Sequence, residues 1–242
     1  MVTRFFNASC KLDSLRFDEE GLIVAHRGAA AYEPENTVRS FEKAFQLGAD
    51  FVELDIRLSK DGVLVIIHDE VVDRTTNGSG FVRNLTLNQL KLLDAGKGGK
   101  IPTLNEVLER FNEEKHKFFI EAKEPGLEEK LLKTIVEHEA QNRVTVTSFY
   151  HNVLKKIKER RKDIKLGVIS ACQPVNPEKL AKDAKANILL PKFQYVDNKV
   201  VKRAHKNSLN IIPWTINNKQ DAEKMININV DGIVTDKPDI LK

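Results

Sequence analysis

Short apolar runs that end in charge recur along the chain. Leu22-Ile23-Val24-Ala25 leads into His26-Arg27-Gly28, and Phe51-Val52 into Glu53-Leu54-Asp55. Val63-Leu64-Val65-Ile66-Ile67 leads into His68-Asp69, and Phe118-Phe119-Ile120 into Glu121-Ala122-Lys123. A run of that length closed by charge predicts a buried strand that delivers polar side chains at its tip. Strand-like runs lie near 22–26, 51–56, 63–68, 117–122, 144–148, 165–169, 187–190, 210–214 and 231–234. Between most of them apolar residues recur at helical spacing: Val38, Phe41 and Phe45; Leu127, Leu131 and Ile135; Val153 and Ile157; Val200, Val201 and Ala204; Ala222, Met225 and Ile226. Alternating strand and helix predicts a mainly parallel sheet, and about eight strands in a chain of this length predict a (β/α)8 barrel of the TIM type.

Nine runs are present, so one is an extra or is not a strand. The doubtful junction is 56–63. Lys60-Asp61-Gly62 is a tight-turn signal too short to hold a helix. Either one crossover helix is missing there or a hairpin takes its place. Residues 70–100 carry Asn77-Gly78-Ser79-Gly80 and Gly96-Lys97-Gly98-Gly99 and predict a small irregular excursion over the barrel mouth, with one short helix near 86–94. Residues 1–21 carry no motif and read as an N-terminal arm, so 1–242 is expected to be one barrel domain. The doubly wound alternative lacks the glycine fingerprint after its first strand.

Composition narrows this little further. The 242 residues are 41% hydrophobic and 31% charged, as in an ordinary globular protein. The net charge of +4 comes from 39 basic and 35 acidic residues scattered through helical patterns such as 155–162, which argues against a nucleic-acid partner. Cys10 and Cys172 have no metal or redox spacing and read as reduced thiols. No run approaches the roughly 20 apolar residues of a spanning helix, and the N-terminus shows no signal-cleavage pattern. A cytoplasmic protein without a stable membrane anchor is therefore expected. Nothing in the pattern gives an oligomeric state.

Glu53 and Asp55 stand two apart on a strand and face the same side. If that side is the barrel interior near its top, Glu121 joins them. Crowded carboxylates repel unless a cation neutralises them. One reading is a hard divalent metal, Mg²⁺ or Ca²⁺, on oxygen ligands. The other is pairing with Arg27, Arg57 or Lys123. His26 and His68 end separate strands, and two imidazoles near neutral pH can supply an acid and a base. Each alone reads first as a histidine satisfied by a neighbouring carboxylate, and it is the two together, beside charged residues at strand tips, that shift the balance. His116, His138, His151 and His205 fall in helices or loops and read as surface residues. Arg27 and Lys123 can clamp a phosphate. Glu35-Asn36-Thr37 behind Pro34 reads as a helix start, with Thr37 as its cap. Trp214, with Phe149, Phe193 and Tyr195, can wall a substrate or sit in the core. Asp236 reads as structural. Together these groups suggest metal-assisted phosphoryl chemistry.

The ordered string His26-Arg27-Gly28, Glu35-Asn36-Thr37, Glu53-x-Asp55, Lys60-Asp61-Gly62, His68-Asp69, Arg74-Thr75-Thr76 and Glu121-x-Lys123 closely resembles the glycerophosphodiester phosphodiesterases. Pro102-Thr103-Leu104, Trp214-Thr215-x-Asn217 and Asp231-Gly232-Ile233-x-Thr235-Asp236 extend the match over roughly 22–242. The resemblance implies a hydrolase of lipid and glycerol metabolism that cleaves glycerophosphodiesters to sn-glycerol 3-phosphate and an alcohol. It implies Glu53, Asp55 and Glu121 as metal ligands, His26 and His68 as the acid/base pair, and Glu35 and Asn36 as residues that shape the site. The sequence departs at Tyr150-His151, where a small polar or acidic residue is usual, and in the short 70–100 excursion. Both fall where the leaving alcohol should be read. The rival readings are a lipid phosphodiesterase of the lysophospholipase D type, which needs an apolar patch beside the site, and a non-catalytic sugar-phosphate-binding barrel.

Overall fold

The computed structural model describes residues 21–242. The expected arm over 1–21 lies outside the described residues but for Gly21, and Cys10 lies outside them too. Eight strands run parallel: β1 (Leu22–Ala25), β2 (Phe51–Leu58), β4 (Phe118–Ala122), β5 (Val144–Ser148), β6 (Lys165–Ser170), β7 (Ile188–Pro191), β8 (Asn210–Ile211) and β9 (Gly232–Thr235). Their order is β9-β1-β2-β4-β5-β6-β7-β8. Hydrogen bonds from Asp231 to Ile211 and from Val234 to Pro213, at 3.0 and 2.9 Å, bring β9 back to the end of β8 and close the ring. Helices α1 (Val38–Gln46), α4 (Glu128–Glu137), α5 (His151–Arg160), α6 (Pro177–Ala184), α7 (Asn198–Lys206) and α8 (Lys219–Asn227) fill six of the crossings. This is the (β/α)8 barrel that the alternating pattern predicts.

The ninth strand is the hairpin. β3 (Leu64–Ile66) pairs antiparallel with the end of β2 in the register Ile56↔Ile66 and Leu58↔Leu64. Gly62 takes φ +73° in the joining turn, which glycine adopts at little cost. β1 uses the same edge of β2 only at Phe51 and Val52, so β3 continues above the end of β1 and starts the excursion. The expected short helix is α2 (Leu87–Leu92). The crossover helix of this junction is present further on, as α3 (Leu104–Arg110), capped by Thr103 and Glu106. The excursion has a small apolar core of its own, with Val65, Ile67, Val72, Val82, Leu90, Ala95 and Ile101 all buried.

Strand alternation divides the main core in two. Leu22, Val24, Phe51, Phe119, Ile169, Ile188, Leu190, Ile212 and Val234 fill the barrel interior. Their neighbours, among them Ala25, Val52, Leu54, Ile120, Val146 and Val168, pack outward under the helices. Side chains alternate with period two, so inward parity continues past each strand end. It puts His26, Glu53 and Asp55, Glu121 and Lys123, Phe149, Lys192, Trp214 and Asp236 around one mouth. Among the described residues no helix is long and apolar enough to cross a membrane.

Candidate active site

β1 leaves the sheet through a turn whose backbone is left-handed at Arg27 (φ +53°) and Gly28 (φ +82°). A Cβ on Gly28 would lie 2.4 Å from the Ser40 hydroxyl oxygen and 2.6 Å from the Ser40 carbonyl carbon, so only glycine fits under α1. The turn aims the Arg27 backbone N–H at the Glu53 carboxylate, 2.9 Å away. The Arg27 guanidinium donates to Glu35 at 2.9 Å and lies 3.4 Å from Asp55. Asn36, also left-handed (φ +58°), donates its amide to Asp55 at 2.8 Å. Thr37 then caps α1 in a reciprocal pair with Ser40. Glu35 also accepts two 2.8 Å bonds from Arg74. The expected helix start is thus also the scaffold that fixes Arg27 and Asp55.

Glu53, Asp55 and Glu121 are buried, and one oxygen from each lies within 4.8 Å of the others. Lys123 donates to Glu121 at 2.7 Å and stands 3.4 Å from Asp55. Arg27 and Lys123 flank Asp55, as the pairing reading expects, yet the three carboxylates remain crowded. Arg57 is not part of this group and pairs with Glu124 at 3.2 Å. Burial, then the charge on Asp55, pushes Glu121 up to about 7. Burial, Asp55 and Glu121 raise Glu53 well above the carboxylate range. Burial works the same way on Asp55, but Lys123, Arg27 and His68 outweigh it and hold that group low. Two buried polar atoms here lack hydrogen-bond partners, the acceptor Asp55 Oδ1 and the donor Arg27 Nε. Unpaired buried groups are costly. An oxygen-ligated cation beside an anion would satisfy both, so the residues present fit a hard divalent metal with a bound phosphate.

Each strand-tip imidazole is held by a carboxylate through Nδ1. His26 Nδ1 lies 2.7 Å from Asp236 Oδ1, and His68 Nδ1 lies 2.6 Å from Asp69 Oδ1. With Nδ1 assigned as the donor, Nε2 of each neutral ring is the free basic atom. Arg74 donates to Asp69 at 2.6 Å and keeps it well below the usual carboxylate range. Burial lowers His68; Asp55 opposes this, while Lys123 and Arg27 add to it.

Phe149 and Trp214 meet edge to face at 5.7 Å, and the Lys123 ammonium lies 6.0 Å from the Phe149 ring centre. The Trp214 indole N–H donates to the Leu190 carbonyl at 2.7 Å. These two rings form a wall at the mouth. Phe193 and Tyr195 do not join it, because the short turn after β7 carries them outward. Phe193 packs on the helix-side core and Tyr195 lines a separate cavity with Cys172. His116, His138, His151 and His205 stand apart from the cluster; their ring nitrogens or faces engage Phe45, Asn105, the Ile169 carbonyl and Asp231. Asp236 belongs to the site rather than to structure alone, a correction that the 210-residue separation from His26 conceals in the sequence. Asp69 and Arg74 stand within the quoted motifs without an assigned role. Lys192 continues the inward parity of Ile188 and Leu190 and bridges Trp214 through the backbone.

The model of the glycerophosphoryl diester phosphodiesterase family matches residues 26–240. A glycerophosphodiester phosphodiesterase of Caldanaerobacter subterraneus subsp. tengcongensis is 43% identical, covering 91% of this chain and 96% of that protein. One from Bacillus subtilis is 34% identical over 90% of this chain and 84% of its own length. A phosphodiesterase from Oleispira antarctica, solved in complex with the product sn-glycerol-3-phosphate, is 29% identical with a TM-score of 0.82, covering 90% of this chain and 94% of that one.

Proposed function

The chain belongs to the glycerophosphoryl diester phosphodiesterase family, and from that premise we propose how its barrel mouth works. The protein is a phosphoric diester hydrolase that cleaves glycerophosphodiesters to sn-glycerol 3-phosphate and an alcohol. One observation carries the reading. A buried three-carboxylate cluster, one oxygen of which accepts no hydrogen bond, shares a mouth with two imidazoles, each held through Nδ1 and open at Nε2.

Glu53, Asp55 and Glu121 would hold a divalent metal, Mg²⁺ or Ca²⁺, and that ion would polarise the phosphoryl group when bound. Arg27 and Lys123 bind the non-bridging oxygens and take up charge as it develops there. Arg27 does so from a fixed position, since Glu35 and Asp55 grip its guanidinium. One imidazole accepts the proton of the attacking oxygen at Nε2, and the other delivers a proton from Nε2 to the leaving alkoxide. Asp236 and Asp69 keep each ring in the required tautomer and stabilise it when charged. Glu35 and Asn36 position Arg27 and Asp55, and Phe149 and Trp214 exclude water beside the glycerol. The cytoplasm is the compartment that fits this reading.

The test is product analysis by ³¹P NMR on glycerophosphocholine and glycerophosphoethanolamine, with added Mg²⁺ or Ca²⁺ and with chelator. Metal-dependent appearance of sn-glycerol 3-phosphate supports the reading. Full turnover after exhaustive chelation, or no turnover of any glycerophosphodiester, contradicts it. Exposed Phe149, which meets Trp214 on the glycerol side of the mouth, favours lysophospholipids as a second substrate class, and lysophosphatidylcholine in the same assay decides that point.

A further inference from the structure

A cavity of about 160 Å³ opens beside Lys123, between the excursion and the end of β5. Glu70, Phe81, Arg83, Glu124 and Tyr150 line it. We propose that this cavity is the subsite for the leaving alcohol and that Glu70 makes it select alcohols bearing an ammonium group. The inference rests on the hydrolase reading above.

Two observations carry it. Lys123 borders both the cavity and the carboxylate cluster, so an alcohol leaving a phosphate clamped at Lys123 extends into this space. The volume is that of roughly five waters of liquid, enough for a two-carbon amino alcohol. The charges around the cavity are also not equivalent. Glu124 already accepts from the Leu58 backbone at 2.9 Å and from Arg57 at 3.2 Å. Arg57 also donates its Nε–H to the His68 carbonyl at 2.9 Å. Lys123 is held by Glu121 and Asp55. Arg83 lies over the Phe81 ring, 4.8 Å from its centre. Glu70 is exposed, and its carboxylate has no hydrogen-bond or ion-pair partner among the described residues. Its backbone carbonyl accepts from Val82 at 2.9 Å, which places it beside Phe81 and Arg83. An ammonium in this space meets Glu70 and the face of Tyr150, which is otherwise unstacked among the described residues. Arg83 opposes it, and the two side chains therefore pull the preference in opposite directions.

The experiment is the ratio of kcat/KM for glycerophosphoethanolamine to that for the neutral diester glycerophosphoglycerol, measured on the metal-loaded full chain. Glu70→Gln should lower this ratio about fivefold, the upper range for an exposed ion pair. Arg83→Met should raise it. Both residues are on the surface, and unchanged melting temperatures will confirm that the variants fold. A ratio within twofold of wild type in Glu70→Gln, or a fall in Arg83→Met, overturns the proposal. If wild-type protein cleaves neither diester, it is the hydrolase reading that fails, and the two failures are distinct.

Discussion

Proton and metal should compete for the carboxylate cluster, and the competition can be read as stability. Glu121 rises from an ordinary 4.5 to about 7 in the folded, metal-free chain because burial and Asp55 disfavour its charge. A carboxylate that binds its proton more tightly when folded makes the metal-free protein lose stability as pH climbs from about 4.5 to about 7. The shift corresponds to about 3 kcal/mol across that window. A metal bound by ionised Glu121 must displace the proton. Two pH units below 7, its apparent affinity is about 100-fold weaker, a loss of about 2.7 kcal/mol of metal stabilisation. For a chain of this size that is roughly 5–11 °C in Tm. The assay is thermal unfolding with chelator and with a fixed excess of Mg²⁺ at pH 5, 6, 7 and 8. The metal-induced rise in Tm should grow over this range by that amount, and Glu121→Gln should flatten it. An equal rise at pH 5 and pH 8, or a metal-free protein that gains stability from pH 5 to 7, would refute the reasoning.

Other substitutions probe the remaining contacts. His26→Ala and His68→Ala should each lower kcat by about 10²–10⁴-fold with little change in Tm, whereas His138→Ala, whose ring meets Asn105 at 3.1 Å away from the cluster, should be near neutral; steady-state kinetics that rank His138→Ala with the other two would break the assignment. Asp236→Asn should lower kcat by at least about 10²-fold with KM nearly unchanged, since it lets the His26 ring take the wrong tautomer, and a normal kcat would return Asp236 to a structural role. Gly28→Ala should cost at least about 2 kcal/mol in denaturant unfolding, from a left-handed backbone and a clash with Ser40, and an unchanged midpoint would contradict the packing described for that turn.

Much of the barrel was legible because inward and outward residues alternate so regularly along strands whose tips carry charge. Val24-Ala25-His26 and Phe119-Ile120-Glu121 each announce a face. The hairpin at Lys60-Asp61-Gly62 was legible as one of two options, because a three-residue turn signal excludes a helix there but not one further on. α3 was hidden by its shortness, although Thr103 and Glu106 spell a capping box. α6 was hidden because Leu180, Ala181 and Ala184 make a weak apolar stripe, although Pro177 behind Asn176 marks a first turn. In the site, the carboxylates and histidines stood out by type and spacing. Their supports did not. Asp236 reaches His26 only once the ring closes, and Asn36 reaches Asp55 only because its backbone turns left-handed. Phe193 and Tyr195 looked like partners for Trp214 until the turn after β7 carried them outward.

The central claim, that two imidazoles divide acid and base work at this mouth, is tested most directly by changing the leaving group. Wild type, His26→Ala and His68→Ala are each assayed on glycerophosphocholine and on the glycerol phosphodiester of p-nitrophenol, whose leaving group needs no proton. The variant that lacks the general acid should recover most of its loss on the nitrophenyl ester, and the variant that lacks the base should stay impaired on both. Recovery of both variants, or of neither, would contradict the account.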